Sequence, residues 1–162
     1  MNQPMDTLAK PGQYLSFSLG QEDFAIPLGS VFEINGLTAI TSVPQTPDFI
    51  AGVINLRGKI IPVVNLRVKL GMGAIAHTKE TCVIIADAGG RHVGMIVDSV
   101  KEVLDLHADK IAPKPQMGGE EHASFITGMA KIEGRVTIMM DTNSVLSFAD
   151  LQELGNVTAK AS

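Results

Sequence analysis

The sequence predicts an all-β protein made of two similar halves. Apolar and polar residues alternate along short segments, and turns rich in glycine, asparagine or aspartate separate most of them. The stretch 49–65, FIAGVINLRGKIIPVVN, aligns with 125–141, FITGMAKIEGRVTIMMD, at a constant offset of 76 residues, and the phenylalanine, the isoleucine and both glycines match. One repeat of this length indicates two copies of a small β unit, because a solenoid needs three or more. Strands spaced so closely suit small barrels.

The composition limits both the core and the partners. With 45% hydrophobic residues, 4% aromatic residues and no tryptophan, the core of this 162-residue chain must be aliphatic, with help from eight methionines. The net charge of -4 disfavours nucleic-acid binding. No apolar run is long enough to span a membrane, and residues 1–12 lack a basic segment followed by an apolar one, so we expect neither membrane insertion nor export. Cys82 stands alone, which favours a reducing, cytoplasmic setting.

The first half is taken as 13–73. A polar lead-in, residues 1–12, carries two prolines and is predicted to be disordered. The strands that follow are predicted at 14–19, 24–28, 31–34 and 38–43. The period of two places Val31 and Glu33 on one face of the third strand, and Phe32 and Ile34 on the other.

A hairpin over residues 53–64 is the clearest local signal. Two apolar runs flank Arg57-Gly58-Lys59, a turn that contains glycine, so Arg57 lies at the tip. A cation at such a tip is ordinarily solvated. Asn65 is then predicted to cap a short helix, 66–70, that Gly71 ends.

The second half is taken as 79–154, after a linker at 71–78. Strands are predicted at 81–86, 92–97 and 100–106, followed by a long loop at 112–123 and a hairpin at 125–140 whose turn contains Glu133-Gly134. Asp141 is predicted to begin a helix, 141–154, that Gly155 ends before a flexible tail, 155–162. The second hairpin therefore carries Glu133 where the first carries Arg57.

No motif for catalysis, a metal or a cofactor is convincing. Gly71 to Ala76 fits G-x-G-x-x-A, but no amphipathic helix follows it, so a dinucleotide site is rejected. The four histidines lie far apart without metal-ligand spacing. We therefore expect no enzyme activity, no metal and no cofactor. An enzyme or a small-ligand β domain remains the alternative, and a closed polar pocket with convergent titratable groups would support it.

Several sequence features together match a known family. They are Val31-Phe32-Glu33-Ile34, Val43-Pro44 with Pro47, residues 49–58 (FIAGVINLRG), Ile61-Pro62-Val63, residues 94–103 (GMIVDSVKEV), and the glycines Gly128 and Gly134. From about residue 13 to residue 154 the chain resembles the CheW family of chemotaxis coupling proteins. One position departs from the pattern, since Asn65 stands where the family commonly has aspartate. Asparagine caps a helix about as well, so we expect little effect on the fold.

The resemblance implies a fold, partners and a location. The fold would be two SH3-like five-stranded β-barrels packed on a common core, with short helices. The protein would be a scaffold without catalysis, joining the cytoplasmic tips of methyl-accepting chemoreceptors to the regulatory domain of a CheA-type histidine kinase. It would lie in the cytoplasm, at the inner face of the membrane through receptor arrays, in which it could self-associate. The alternative is an adaptor of the same family in a non-motility pathway, such as twitching or biofilm control.

The resemblance also implies where partners bind. Glu33 and Arg57 match the charged pair that the family keeps beside its receptor- and kinase-contact surfaces. Exposed aliphatic residues around the pair would form an apolar groove between the barrels that receives a receptor helix. For Val31, Val53 and Val100, a place in the core is the competing interpretation. The predicted partner-binding residues are Val31, Glu33, Ile34, Gly52, Val53, Asn55, Arg57, Gly58, Lys59 and Val100.

Overall fold

The structure is a computed structural model that describes residues 9–37, 39–113 and 125–161. The strands are β1 (Gly12–Leu19), β2 (Glu22–Pro27), β3 (Val31–Gly36), β4 (Ile50–Leu56), β5 (Lys59–Asn65), β6 (Cys82–Ala88), β7 (Arg91–Val97), β8 (Ser99–Leu106), β9 (Ile111–Ala112), β10 (Ile126–Ile132) and β11 (Arg135–Met140). The α-helices are α1 (Leu66–Lys69), α2 (Thr142–Val145) and α3 (Phe148–Ala161).

The strands form two sheets with the same internal order. The sheet of barrel one runs β3-β6-β7-β5-β4, and that of barrel two runs β8-β1-β2-β11-β10 with the two-residue β9 added at its edge. Each sheet contains one parallel pair, β5 with β7 and β2 with β11, and the other pairs are antiparallel. The predicted all-β fold of two SH3-like barrels is confirmed.

The sheets divide the chain differently from the halves predicted at 13–73 and 79–154. Barrel one is built from the continuous stretch β3 to β7, whereas barrel two combines β8 to β11 with the N-terminal hairpin β1–β2. In barrel two, β1 and β2 take the places that β6 and β7 take in barrel one. Each predicted half therefore contributes strands to both barrels. The N-terminal hairpin joins barrel two through the pairing of β1 with β8 and of β2 with β11.

The buried apolar side chains of the described residues form three clusters. The largest lies between the barrels and takes side chains from both sheets and from α3, including Phe17, Val64 and Leu154. Each barrel has a small interior of its own as well. On β6, Val83 and Ile85 belong to the interior of barrel one while Ile84 and Ala86 belong to the shared core, so this strand is buried on both faces. Burial on two faces explains why β6 is a nearly continuous apolar run.

The C-terminal helix differs from the prediction. Asp141 does cap a helix, since its carboxylate accepts a hydrogen bond from the Asn143 N–H at 3.0 Å, but α2 ends at Val145. The long helix α3 begins at Phe148 and continues through Gly155 to Ala161, so the helix predicted over 141–154 and the tail predicted from 155 were wrong. Gly155 does not end the helix, because Val157 beyond it is 1% exposed in the shared core. That burial offsets the roughly 1 kcal/mol that a glycine costs inside a helix.

Other predictions have mixed outcomes. Asn65 caps α1 as expected, with its Oδ1 accepting from the Val68 N–H at 3.3 Å. The strand predicted at 38–43 is reduced in the described residues to a single bridge between Thr41 and Val53. Most of the predicted lead-in and most of the predicted loop at 112–123 lie outside the described residues.

Candidate functional site

Strands β4 and β5 form the hairpin that carries Arg57, called the first hairpin below; β10 and β11 form the second hairpin. A tight turn joins β4 to β5 and fixes the direction of Arg57. Leu56 pairs with Lys59, and the two residues between them have positive φ angles, 51° at Arg57 and 87° at Gly58. Two positive φ angles in a two-residue loop define the turn that best fits the twist of a hairpin. The side-chain Oδ1 of Asn55 accepts a hydrogen bond from the Gly58 N–H at 2.9 Å. The turn is thus held from inside the hairpin.

Arg57 forms an ion pair with Glu33, which lies on the edge strand β3. The guanidinium Nη2 donates to Glu33 Oε1, and the side chains are 67% and 23% exposed respectively. The hydrogen bond from Arg57 holds the pKa of Glu33 below its ordinary value, and Asn35 adds a smaller contribution. The two charges that the family resemblance implied as a pair are therefore in contact, at the surface of barrel one.

The neighbouring surface is partly apolar. Ile34 is 42% exposed on the edge strand, and Asn55, Gly58 and Lys59 are exposed on the hairpin. Phe32, which is not among the predicted contact residues, is 52% exposed beside Glu33 and packs against the tilted His92 ring, with 4.3 Å between ring centroids. The sequence did contain a signal for this residue, because the period of two places the aromatic Phe32 on the same face of β3 as the predicted contact residue Ile34.

Two of the predicted contact residues are buried and have a structural role. Val53 is 4% exposed and packs in the shared core, so it offers little surface to a partner. Gly52 is also buried and has a φ of 143°, and a Cβ added there would lie 2.1 Å from the carbonyl oxygen of Thr41. Only glycine allows this approach. Val31 and Val100 are half-buried against the shared core, between the two interpretations.

A cleft of about 560 Å³ opens beside the first hairpin. Two of its lining residues, Val53 and Ile54, are almost fully buried. The other lining residues are uncharged, and some are apolar and some polar. Because none of these side chains is titratable, the cleft suits an apolar side chain of another protein better than acid–base chemistry. It is lined by Thr41, Ser42, Val43, Pro44, Gln45, Val53, Ile54, Asn55 and Ile60.

In residues 9–37, 39–113 and 125–161, no group of three or more His, Cys, Asp or Glu side chains is arranged to hold a metal ion. None of the helices in these ranges has both the length and the apolar character needed to cross a membrane.

The second hairpin repeats the first at its turn but not in its charges. Glu133 and Gly134 have φ angles of 52° and 81°, close to those of Arg57 and Gly58. Arg135, the next residue, lies on Asp23 of β2, with Nε 3.0 Å from Oδ2. The end of barrel two is therefore also charged, with a different set of contacts.

Comparison with known proteins gives consistent results. The profile of the family described as the CheW-like domain matches residues 13–150. The chain is 37% identical to the chemotaxis protein CheW of Klebsiella aerogenes over 145 residues, which cover 90% of this chain and 87% of the relative. It is 27% identical to the protein FrzA of Myxococcus xanthus, over 94% of this chain and 93% of the relative. The crystal structure of scaffolding protein TtCheW from Thermoanaerobacter tengcongensis aligns with a TM-score of 0.77 and 34% identity, over 85% of this chain and 93% of that one.

Proposed function

The chain belongs to the CheW family, and from this premise we propose that it is a non-catalytic adaptor in bacterial chemotaxis signalling. It would bind the cytoplasmic tips of methyl-accepting chemoreceptors and the regulatory domain of a CheA-type histidine kinase. It would therefore work in the cytoplasm, held at the inner face of the membrane by receptor arrays. The relatives of higher identity are named chemotaxis proteins, which favours this role over a non-motility pathway.

The exposed Glu33–Arg57 ion pair is the observation that carries the proposal to particular residues. Asn55, which holds the turn that carries Arg57, also lines the cleft. On β3, the two neighbours of Glu33 in sequence, Phe32 and Ile34, are exposed apolar side chains. Apolar surface supplies affinity at protein interfaces, and charges at their rim supply specificity and association rate. We therefore assign partner contact to Glu33, Ile34, Asn55, Arg57, Gly58 and Lys59, with Val31 and Val100 at the margin.

The test is a reconstituted signalling assay. Receptor-containing membranes and the cognate kinase are mixed with and without the protein, and kinase autophosphorylation is measured. We expect clear stimulation above the level of kinase with receptor alone. No stimulation at saturating protein would contradict the coupling role.

The contact surface is tested by Arg57→Glu, whose binding to the kinase and to receptor-containing membranes is measured by co-sedimentation. We expect weaker kinase or receptor binding, because the variant places a second carboxylate beside Glu33. The matched control is Lys79→Glu, which makes the same change of charge in an exposed loop. If both variants reduced binding equally, the effect would come from net charge and not from the site.

A further inference from the structure

Barrel two has a small pocket at the place where barrel one holds its ion pair. The repeat of the hairpins aligns Glu133 with Arg57, and a second repeat, at an offset of 69 residues, aligns Glu102 of β8 with Glu33 of β3. Barrel two thus has two carboxylates where barrel one has a carboxylate and a guanidinium. Both glutamates line a pocket of about 110 Å³ between β8 and the second hairpin.

Both cations that line this pocket, Lys101 and Arg135, form ion pairs with Asp23. Asp23, whose side chain is 9% exposed, receives Lys101 Nζ at 2.9 Å and Arg135 Nε at 3.0 Å. Glu102 and Glu133 make no ion pair within the described part of the chain. Three carboxylates face two cations, so the pocket carries a net negative charge. Its electrostatics favour a cation.

A buried hydroxyl points to a hydrogen-bonding ligand independently of these charges. Thr137 is 3% exposed, lines the pocket, and has no side-chain hydrogen-bond partner among the described residues. Ser16, the neighbouring buried hydroxyl, is bonded to the backbone of Glu102 instead. A buried polar group without a partner is unfavourable, so a ligand group that hydrogen-bonds to Thr137 in the pocket would gain stability from it.

We propose that this pocket binds the guanidinium group of an arginine presented by a partner protein. The Glu102 and Glu133 carboxylates would accept hydrogen bonds from its N–H groups, and Thr137 Oγ1 would accept another. Leu104 and Ile132, which also line the pocket, would contact the aliphatic stem. A guanidinium fits better than an ammonium because it offers five donors in a plane. Glu33 already binds this group in barrel one, where Arg57 supplies it from within the chain.

The proposal needs neither the receptor nor the kinase for its test. The probe is Nα-acetyl-L-arginine amide, titrated into ¹⁵N-labelled protein, with the neutral isostere Nα-acetyl-L-citrulline amide as the control ligand. We expect weak, saturable shifts, with a Kd in the millimolar range, confined to the amides of β8 and the second hairpin. The citrulline control should cause no saturable shift there. The adaptor role is tested by kinase stimulation and the arginine pocket by this titration. A negative result in one experiment therefore does not contradict the other proposal.

Three variants decide whether the pocket is responsible. Glu133→Arg supplies the cation from within the chain and should abolish binding, and the turn accepts arginine because Arg57 has the same φ in barrel one. Thr137→Val should fold stably and weaken binding about threefold or more, since it removes one hydrogen bond. Glu80→Arg, in an exposed loop, makes the same charge change as the first variant and should bind as wild type.

Three outcomes would overturn the proposal. The first is equal binding of the arginine and citrulline probes, and the second is binding that survives Glu133→Arg. The third is saturable binding of inorganic phosphate at the same amides, which would mean that Lys101 and Arg135 make the pocket an anion site.

Discussion

The two barrels share a backbone plan and differ in the chemistry at their ends. Each hairpin has a tight turn with two positive φ angles, and the first strand of each has a register shift that ends at a glycine, Gly52 or Gly128. Gly52 lies under the carbonyl oxygen of Thr41, and Gly128 lies under that of Ala112. At the tips, however, an ion pair in barrel one corresponds to two glutamates in barrel two. The residues that match between the barrels are therefore those that the backbone of the hairpins requires. The residues that differ are exposed charges at the hairpin tips.

The register of the sheets extends the comparison to a second pair of contacts. Met139 pairs with Ala25 in barrel two as Val63 pairs with Gly94 in barrel one, which makes Asp23 the counterpart of His92. Asp23 forms ion pairs with Lys101 and Arg135. His92, by contrast, packs against the Phe32 ring, and its Nε2 lies 3.3 Å from Oδ1 of Asp87. At these matching positions barrel two therefore has a carboxylate that binds two cations, and barrel one has an aromatic contact.

The largest expected effect breaks the glycine correspondence. In Gly52→Ala the new Cβ would lie 2.1 Å from a carbonyl oxygen at a φ of 143°, so we expect a loss of about 3 kcal/mol or more in unfolding free energy. Gly128→Ala places its Cβ 3.0 Å from the corresponding oxygen without a positive φ, and should lose about 1 kcal/mol. Urea denaturation of both variants measures the difference. Equal losses would mean that the two bulges are under the same constraint.

The next effect concerns the two counterparts on β2 and β7. Asp23→Asn leaves Lys101 and Arg135 without their carboxylate, and we expect a loss of about 2 kcal/mol, less than for a fully buried pair because both cations are well exposed. His92→Gln should change stability by about 0.5 kcal/mol or less. Thermal and urea unfolding of the two variants test this order. A larger loss at His92 would show that the aromatic contact is the structural one.

A smaller effect concerns the turn itself. Asn55→Ala removes the acceptor for the Gly58 N–H and should lower stability by about 0.5–1 kcal/mol. Its counterpart in the second hairpin is Lys131, which is exposed and cannot accept a hydrogen bond, so Lys131→Ala should be nearly neutral. If the two substitutions had the same effect, the asparagine would not be needed to hold the first turn.

The smallest effect concerns the exposed ion pair and its pH dependence. The pKa of Glu33 is lowered in the folded protein, so the stabilisation is present above the unfolded value and is lost as the pH falls through the folded value. We expect the unfolding free energies of wild type and Arg57→Gln to differ slightly at neutral pH and to converge in acid. Arg57→Glu should likewise shift the melting temperature by less than about 2 °C. A fall of many degrees would make Arg57 a structural residue and contradict its assignment to binding.

The sequence alone determined the features that depend on neighbouring residues. The repeat, the two turns and the Asn65 and Asp141 caps are visible because a turn or a cap needs particular side chains within three or four positions. The same repeat revealed that Arg57 and Glu133 differ at matching positions. The pairing of Glu33 with Arg57 was found because a family resemblance linked residues that are distant in sequence.

The tertiary structure decided what depends on contacts between distant segments. The N-terminal hairpin joins barrel two because it completes a sheet there, and no local pattern distinguishes that choice from pairing within the first half. Val53 is buried because the shared core lies behind it, and α3 continues past Gly155 because Val157 reaches the same core. The pocket with Thr137 exists only where β8, β2 and the second hairpin meet. Alternation along a strand shows that one face is buried, but only packing shows what lies against it.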